Sequence, residues 1–167
     1  MSRRHCVRCA STTKTGARCR RNTCVYFQFC WQHTREKYGL YLKPSAIPHA
    51  GLGLFTLRDI QKGRRIAAYT GVLRTDEELD RMEANANAYA VRIKKNLSVD
   101  ASSTQTALGR YANDCRSVNV RRKECPGTNA KFVVNQRTQK VYLKATKRIQ
   151  AGSEIFLAYG RAYWNQR

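Results

Sequence analysis

The chain has 167 residues, of which 42% are apolar, and its 32 Lys and Arg against 11 Asp and Glu give a formal net charge of +21. That length fits one ordinary domain with a small appended module, and that apolar content argues against wholesale disorder. No stretch approaches the roughly 20 apolar residues of a membrane span, and no apolar segment follows the basic start, so we expect neither membrane association nor a secretory signal. We therefore expect an intracellular protein whose charge draws a polyanion, with nucleic acid or chromatin as the favoured partner.

Five of the seven cysteines lie in the first 30 residues, and His33 follows them closely. In a reducing compartment, seven cysteines suggest metal ligation rather than disulfides. Residues 1–39 hold nine Lys and Arg against a single acid and few aliphatic residues, so they could not bury a core unaided. We predict that residues 1–39 form a small module folded by zinc and that residues 40–167 form the main domain.

Six candidate ligands compete for the four places of a closed tetrahedral zinc site. Residues 6–34 resemble a small zinc knuckle in which a Cys, a Thr-Lys-x-Gly turn, a second Cys and a closing Cys-x2-His recur. On that resemblance we favour four ligands and keep Cys6 and Cys24 as alternates: Cys9, Cys19, Cys30 and His33. The alternative is that the thiols are buried or redox-active without a metal. His5 and His49 are expected to be surface histidines.

Beyond residue 40, short apolar runs broken by Gly and Pro predict a mostly β domain. One helix is signalled among them, because Thr75 is a favourable N-cap residue and Glu78 completes a capping box. Residues 136–139 predict a hairpin turn, and residues 115–128 a long polar loop. The predicted strands are, in chain order, Arg65–Tyr69, Tyr89–Ile93, Phe132–Val134, Val141–Leu143 and Ile155–Tyr159.

Three separated segments carry the residues that suggest chemistry: Gly51–Phe55, Gly109–Cys115 and Ile149–Gly160. The Gly-x-Gly of the first segment does not open a helix between two strands, which argues against a Rossmann dinucleotide site. Glycine lacks a Cβ, so this segment can approach a bulky group closely, although on its own a plain β-turn would be the better explanation.

Taken in order, the three segments resemble the motifs of the SET domain, the fold of protein lysine methyltransferases, over about residues 41–164. Arg110–Asp114 resembles the Arg-Phe-Ile-Asn-His motif with Asp114 in place of His, and Gly152–Gly160 resembles the Gly-Glu-Glu-Leu…Tyr-Gly motif with Ser153 in place of the first Glu. The resemblance implies a β-clip architecture of short curved sheets with a pseudo-knot that brings the last two motifs together. Family members often close the channel with cysteines after the third motif, whereas here seven residues without cysteine follow Gly160.

The resemblance also implies roles for individual residues. Tyr159 matches the catalytic tyrosine, and Tyr69 falls where a second active-site tyrosine lines the lysine channel. The residues implied for S-adenosylmethionine binding are Leu52, Gly53, Tyr89, Asn113, Asp114 and Trp164, and those for the substrate channel are Phe132, Leu157 and Tyr163.

Several of these assignments have alternatives. Tyr69, Tyr89 and Phe132 would equally suit a packed core. The Asn that closely follows the second motif in the family is matched by Asn129 or by Asn119.

Methyl transfer needs a neutral lysine amine, whereas free lysine has a pKa near ~10.4. A narrow aromatic channel disfavours the charged form by desolvation and aligns the amine lone pair. Arg110 and Glu154 are single charges inside apolar runs, and we expect both to be structural. Because neither Phe132 nor Leu157 is a tyrosine, the resemblance favours higher methylation states.

Five of the eleven acids fall between Asp76 and Glu83, on the predicted helix. A basic protein tail such as that of a histone would be attracted there, although acids also favour the first turn of any exposed helix. The sequence thus predicts an S-adenosylmethionine-dependent protein-lysine methyltransferase with a histone as leading substrate. The alternative is a catalytically silent SET scaffold that binds chromatin or nucleic acid through its zinc module.

Overall fold

The computed structural model describes residues 6–23, 28–82, 86–102, 107–115, 125–160 and 163. Short strands dominate it, as predicted, and they form four small antiparallel sheets of two or three strands each. Within the described residues no helix has the length and apolar character needed to cross a bilayer.

The N-terminal segment has little regular structure. Strands β1 (Val7–Arg8) and β2 (Asn22–Thr23) pair antiparallel, and helix α1 (Trp31–Tyr38) follows. Gly39 ends the helix in the left-handed region at φ 64°, and its N–H donates to the carbonyl of Arg35. Helix α1 buries only His33 and Thr34 and has no apolar stripe, so hydrophobic periodicity did not predict it. We call residues 6–39 the metal module and residues 40–160 the body.

The body consists of three sheets. Its strands are β3 (Leu40–Pro44), β4 (Leu52–Thr56), β5 (Arg65–Tyr69), β6 (Val72–Arg74), β7 (Ala90–Lys94), β8 (Leu97–Asp100), β9 (Ala130–Asn135) and β10 (Lys140–Ala145). The sheet orders are β3-β4, β5-β10-β9 and β6-β8-β7. The predicted hairpin connects β9 to β10, where the Asn135 side chain accepts from the N–H of Thr138.

The predicted helix is present as α2 (Asp76–Asp80). Thr75 accepts from the N–H of Glu78 at 3.2 Å, and Glu78 accepts from the N–H of Thr75 at 2.8 Å. This reciprocal pair is the capping box expected from the sequence. Two 3-10 helices, Ala86–Tyr89 and Leu108–Tyr111, complete the body.

The predicted strand Ile155–Tyr159 is wrong. That segment makes only single-residue bridges, antiparallel between Glu154 and Phe55 and parallel between Phe156 and Asn113. Ile155, Phe156 and Leu157 are buried, but the backbone changes partner from one segment to another, so no continuous ladder forms.

One hydrophobic core joins the two regions. Its fully buried members in the body include Leu54, Leu143, Ile155 and Leu157, and the cysteines of the metal module extend the same cluster. A smaller cluster contains Ile47, Cys115 and Phe156.

The expectation that the cysteines would bind metal rather than form disulfides is wrong for part of the set. Cys115 and Cys125 form a disulfide, with their Cα atoms 5.2 Å apart, and Cys6 is also disulfide-bonded. Cys115 is buried in the small cluster with Ile47 and Phe156, and Cys125 packs against the same cluster. The two sulfur atoms are therefore close enough to bond to each other.

Candidate active site and metal centre

The three motif segments meet through hydrogen bonds to their backbones. Asn113 Nδ2 donates to the carbonyl of Leu52 at 3.1 Å, which joins the second segment to the first. Asp114 Oδ2 accepts from the N–H of Tyr159 at 2.8 Å, and the N–H of Leu157 donates to the carbonyl of Asn113 at 2.9 Å. Residues 52, 113 and 159 therefore belong to one connected region of the body.

The buried carboxylate of Glu154 forms hydrogen bonds to several residues of the same region. Glu154 is 6% exposed and accepts from Ser45 Oγ at 2.6 Å, from the N–H of Ala46 at 2.9 Å and from Asn113 Nδ2 at 3.4 Å. A Cβ on Gly53 would lie 2.2 Å from Glu154 Oε1. Glycine is thus required at position 53 by the approach of this carboxylate, a reason that the sequence pattern alone did not reveal. The expectation that Glu154 is structural agrees with these contacts.

A cavity of about 360 Å³ lies beside this region and has an aromatic wall. Five of its lining residues were assigned from the sequence to the site: Tyr69, Tyr89, Phe132, Tyr159 and Tyr163. The lining residues that the sequence did not assign to the channel include Leu79, Arg92, Ser98 and Arg110. Arg92 and Ser98 come from neighbouring strands, so only strand pairing brings them to this wall.

Tyr159 is held at the cavity wall by two contacts. Its hydroxyl donates to the carbonyl of Ala112 at 3.0 Å, and its ring packs edge-on against Tyr163 with centroids 4.6 Å apart. Burial raises the pKa of the Tyr159 hydroxyl far above its ordinary value, so the phenol stays neutral. With its proton committed to a carbonyl, a phenolic oxygen offers lone pairs to an incoming donor.

Tyr69, the last residue of strand β5, is held at the cavity wall in a similar way. Its hydroxyl donates to the carbonyl of Tyr89 at 2.8 Å, and its ring lies edge-on to Phe132 with centroids 5.1 Å apart. Burial raises the pKa of this hydroxyl as well. The cavity therefore has two neutral, oriented phenols.

Arg110 forms part of the same wall. Its guanidinium carbon lies 4.0 Å from the centroid of the Tyr89 ring, and Nη1 donates to the carbonyl of Ser102 at 2.9 Å. No acidic side chain is among the described residues that line the cavity. An amine entering it would leave water and approach a fixed cation, and both the desolvation and the like charge favour its neutral form.

The structure does not bring every assigned residue to the cavity. Leu157 is 1% exposed and packs in the core, so its assignment to the channel wall is not supported. Leu52, Gly53, Asn113 and Asp114 do not line the cavity: Asp114 bonds the lining residue Tyr159, and Asn113 bonds Leu52.

Three other assignments concern single residues. Asn129 is buried and bonds the backbone of Glu154 and Phe156. Trp164 and Asn119 lie outside the described residues.

The predicted metal ligands form a second cluster. The ligand atoms of Cys9, Cys19, Cys30 and His33 all lie within 4.8 Å of one another, and all four residues are buried. His33 Nδ1 lies 3.5 Å from Cys9 Sγ and 3.3 Å from Cys30 Sγ. A tetrahedral zinc with ordinary bond lengths separates sulfur and nitrogen ligands by about 3.5 Å, so the cluster fits this metal.

The surroundings of the cluster favour a thiolate at Cys9, whereas burial raises the pKa of the Cys30 thiol. Burial raises the pKa of Cys9, but hydrogen bonds outweigh it, including one from the N–H of Cys30 at 3.2 Å, and bring the pKa to about 7. The N–H of Arg21 lies 3.5 Å from Cys19 Sγ, and Glu36 approaches the far nitrogen of His33 at 3.9 Å. Such contacts orient metal ligands and raise their basicity.

The two alternate ligands stand apart from this cluster. Cys6 is excluded by its disulfide, and Cys24 lies outside the described residues.

Known proteins resemble this chain in the region of the three motifs. The SET domain family model matches residues 51–160. Histone-lysine N-methyltransferase SETD7 of Halocynthia roretzi is 23% identical over 115 residues, which are 69% of this chain and 29% of that protein.

Solved structures of Polycomb Repressive Complex 2 also match. ctPRC2 in an autoinhibited conformation bound to S-adenosylmethionine has a TM-score of 0.59 and 28% identity over 74% of this chain and 15% of that one. A humanized mutant of the Chaetomium thermophilum complex bound to the inhibitor GSK126 has a TM-score of 0.58 and 28% identity over 72% of this chain and 15% of that one. This chain thus spans less than a third of the relatives that it matches.

Proposed function

The chain belongs to the SET-domain family, and on that premise we propose that it transfers a methyl group from S-adenosylmethionine to the side-chain amine of a protein lysine. The observation that carries the proposal is the position of Tyr159. Its phenol stands at the wall of an aromatic cavity, and its backbone is bonded to the second motif through Asp114.

The cavity walls would prepare the lysine amine. An ammonium that enters this site leaves water for aromatic rings, and Arg110 adds a like charge, so the amine loses a proton more readily than in solution. The oxygens of Tyr159 and Tyr69 would then accept the remaining amine hydrogens and point its lone pair along the channel. No side-chain base is needed, because the proton leaves to water before transfer.

The cofactor site is proposed from the donor groups around the motifs. When bound, S-adenosylmethionine supplies a methyl group on a positively charged sulfur, and attack by a neutral amine breaks the carbon–sulfur bond. Aromatic faces stabilise such a cation, and the rings of Tyr89, Tyr159 and Tyr163 line the cavity. The residues proposed to hold the cofactor are Leu52, Gly53, Tyr89, Asn113, Asp114 and Trp164.

The proposed substrate is a basic protein tail, with a histone as the leading candidate, because the relatives include a histone-lysine methyltransferase. Helix α2 lies next to the cavity through Leu79. Most of its acids are engaged: Asp76 pairs with Arg92 at 2.8 Å, Glu77 pairs with Arg81, and Glu78 closes the capping box. The attraction of a basic tail by this helix would therefore rest chiefly on Asp80.

The methylation state rests on a single described position. Phe132 lines the cavity, whereas Leu157 does not, so only Phe132 supports the proposal of higher methylation states. Tyrosine at position 132 would place a hydroxyl beside the substrate amine. Phe132→Tyr should therefore shift the products toward monomethyl-lysine.

We further propose that residues 1–39 form a module with zinc held by the four-ligand cluster, that residues 40–167 form the methyltransferase domain, and that the protein acts at chromatin. The cluster geometry and the histone methyltransferase relatives support these proposals.

The test is transfer of a labelled methyl group from S-adenosylmethionine to core histones by the full chain. Tyr159→Phe should reduce the rate by about 10²- to 10³-fold, as loss of an oriented polar group in an active site does. Tyr38→Phe, which changes an exposed tyrosine of α1, should leave the rate unchanged. If the folded, zinc-loaded wild type transfers nothing to any basic protein, the silent scaffold is the correct alternative.

A further inference from the structure

Cations and aromatic rings alternate along one surface that begins on the metal module. The guanidinium carbons of Arg21 and Arg35 lie 5.9 and 5.8 Å from the centroid of the Trp31 ring. Arg35 also lies 5.4 Å from the centroid of Tyr41, on strand β3. The contacts therefore cross from α1 to the body.

The series of cations and aromatic rings continues from Tyr41 to Phe55 and Lys43 in the body. Tyr41 stacks on Phe55 with centroids 5.5 Å apart at an angle of 29°, and Lys43 Nζ lies 4.2 Å from the Phe55 centroid. Phe55 is only 4% exposed, so this end is anchored in the body. We call the series Arg21, Trp31, Arg35, Tyr41, Phe55 and Lys43 the cation–aromatic ladder.

Trp31 stands at the open end of the ladder. It is 61% exposed, the most exposed of the large apolar side chains in the described part of the chain. An exposed aromatic ring with two guanidinium groups near it offers apolar ring surface and two positive charges to a ligand.

The surroundings of Trp31 are strongly positive. Glu36 is the one acid in residues 1–39, and its carboxylate contacts Gln32 and His33 rather than a guanidinium of the ladder. Arg8 and Arg18 donate to backbone carbonyls of the module and hold its loops. Exposed Arg20 adds a further cation next to Arg21.

This combination selects one class of polyanion. A single-stranded nucleic acid carries phosphates for the cations and unpaired bases whose faces stack on aromatic rings. A duplex hides those faces in its stack, and an acidic peptide provides charge without them. We propose that single-stranded nucleic acid binds along the cation–aromatic ladder, with a base on Trp31 and phosphates on Arg21 and Arg35. This function goes beyond methyl transfer, because it would tether the protein to nucleic acid.

The test uses the full, zinc-loaded chain and labelled oligo-dT and oligo-rU of about 16 nucleotides, with binding followed by fluorescence anisotropy at several salt concentrations. Trp31→Ala should weaken binding about 5- to 150-fold, the loss expected for one stacked base, with little change in salt dependence. Trp31→Phe should retain most of the affinity. Arg35→Gln should weaken binding and reduce the slope of log K against log salt by about 0.7.

Two matched controls separate the ladder from general charge. Tyr38→Ala removes another exposed aromatic side chain of α1, and Arg137→Gln removes an exposed cation of the β9–β10 turn. Tyr38→Ala should bind as the wild type does, and Arg137→Gln should lose far less affinity than Arg35→Gln. Zinc content and melting temperature should be the same for all variants, since the changed side chains are exposed.

The proposal would be overturned by wild-type affinity in Trp31→Ala, or by an equal loss in Tyr38→Ala. It would also be overturned if poly-glutamate or a duplex of equal length competed as well as the single strand. Binding is measured without S-adenosylmethionine, so its outcome does not depend on methyl transfer.

Discussion

The metal module and the body are stabilised by different physical means. The body buries Leu54, Leu143 and Ile155 completely among its sheets. The metal module buries chiefly three cysteines, a histidine and Phe29, and its two strands have two residues each. Apolar burial therefore maintains the body, whereas the module would depend on the zinc proposed for its four-ligand cluster.

The largest expected effect is that of metal removal. Chelation, or Cys30→Ser, should unfold the module, because zinc supplies about 10–16 kcal/mol in small domains of this kind. Amide hydrogen exchange should become fast in α1 while β9 and β10 stay protected. Unchanged hydrogen exchange in α1 after complete metal removal would show that the module does not depend on metal.

A truncation in the core of the body should destabilise the body and leave the metal module intact. Leu143 is 0% exposed in β10, so Leu143→Ala should reduce the free energy of unfolding by about 2–5 kcal/mol. Calorimetry should show a lower melting temperature with zinc content unchanged. Val72→Ala is the control: Val72 is 43% exposed, and its truncation should cost no more than about 0.5 kcal/mol.

A smaller effect tests the contact between the first and third motifs. Gly53→Ala should cost about 1–3 kcal/mol, because its Cβ would clash with the Glu154 carboxylate. In the background of Glu154→Ala the same change should cost less, because the carboxylate clash is gone while the contact of the added Cβ with the Phe55 ring, at 3.1 Å, remains. Urea denaturation of the four proteins measures this coupling, and additive costs would show that the carboxylate does not impose glycine at position 53.

The smallest effect is a pH dependence confined to the body. Burial raises the pKa of Tyr69, so the folded chain keeps this proton at a pH where the unfolded chain has begun to lose it. The stabilisation that the folded chain gains from keeping the Tyr69 proton is fully present below about pH 10. Above that pH the free energy of unfolding decreases by up to about 1.4 kcal/mol per pH unit. Denaturation at several alkaline pH values should show a weaker decrease for Tyr69→Phe, whereas exposed Tyr38→Phe should retain the wild-type slope.

Short sequence patterns correctly predicted the elements that depend on residues close together in the chain. The capping box of α2 depends on Thr75 and Glu78, three residues apart, and the turn between β9 and β10 likewise lies within a short segment. Strand β5 has the predicted bounds. Helix α1 was not predicted, since its place is set by His33 and by packing on β3 rather than by an apolar stripe.

The sequence by itself determined the three motifs, the mostly β architecture and the six candidate metal ligands, because each depends on residue type and short spacing. Only the tertiary structure decided that Tyr69 and Tyr159 share a cavity with Phe132, that Glu154 excludes a side chain at position 53, and that Cys115 pairs with Cys125. The cation–aromatic ladder likewise joins α1 to β3 and β4. Most of these contacts join residues far apart in the chain, and none leaves a periodic pattern in the sequence, so packing alone reveals them.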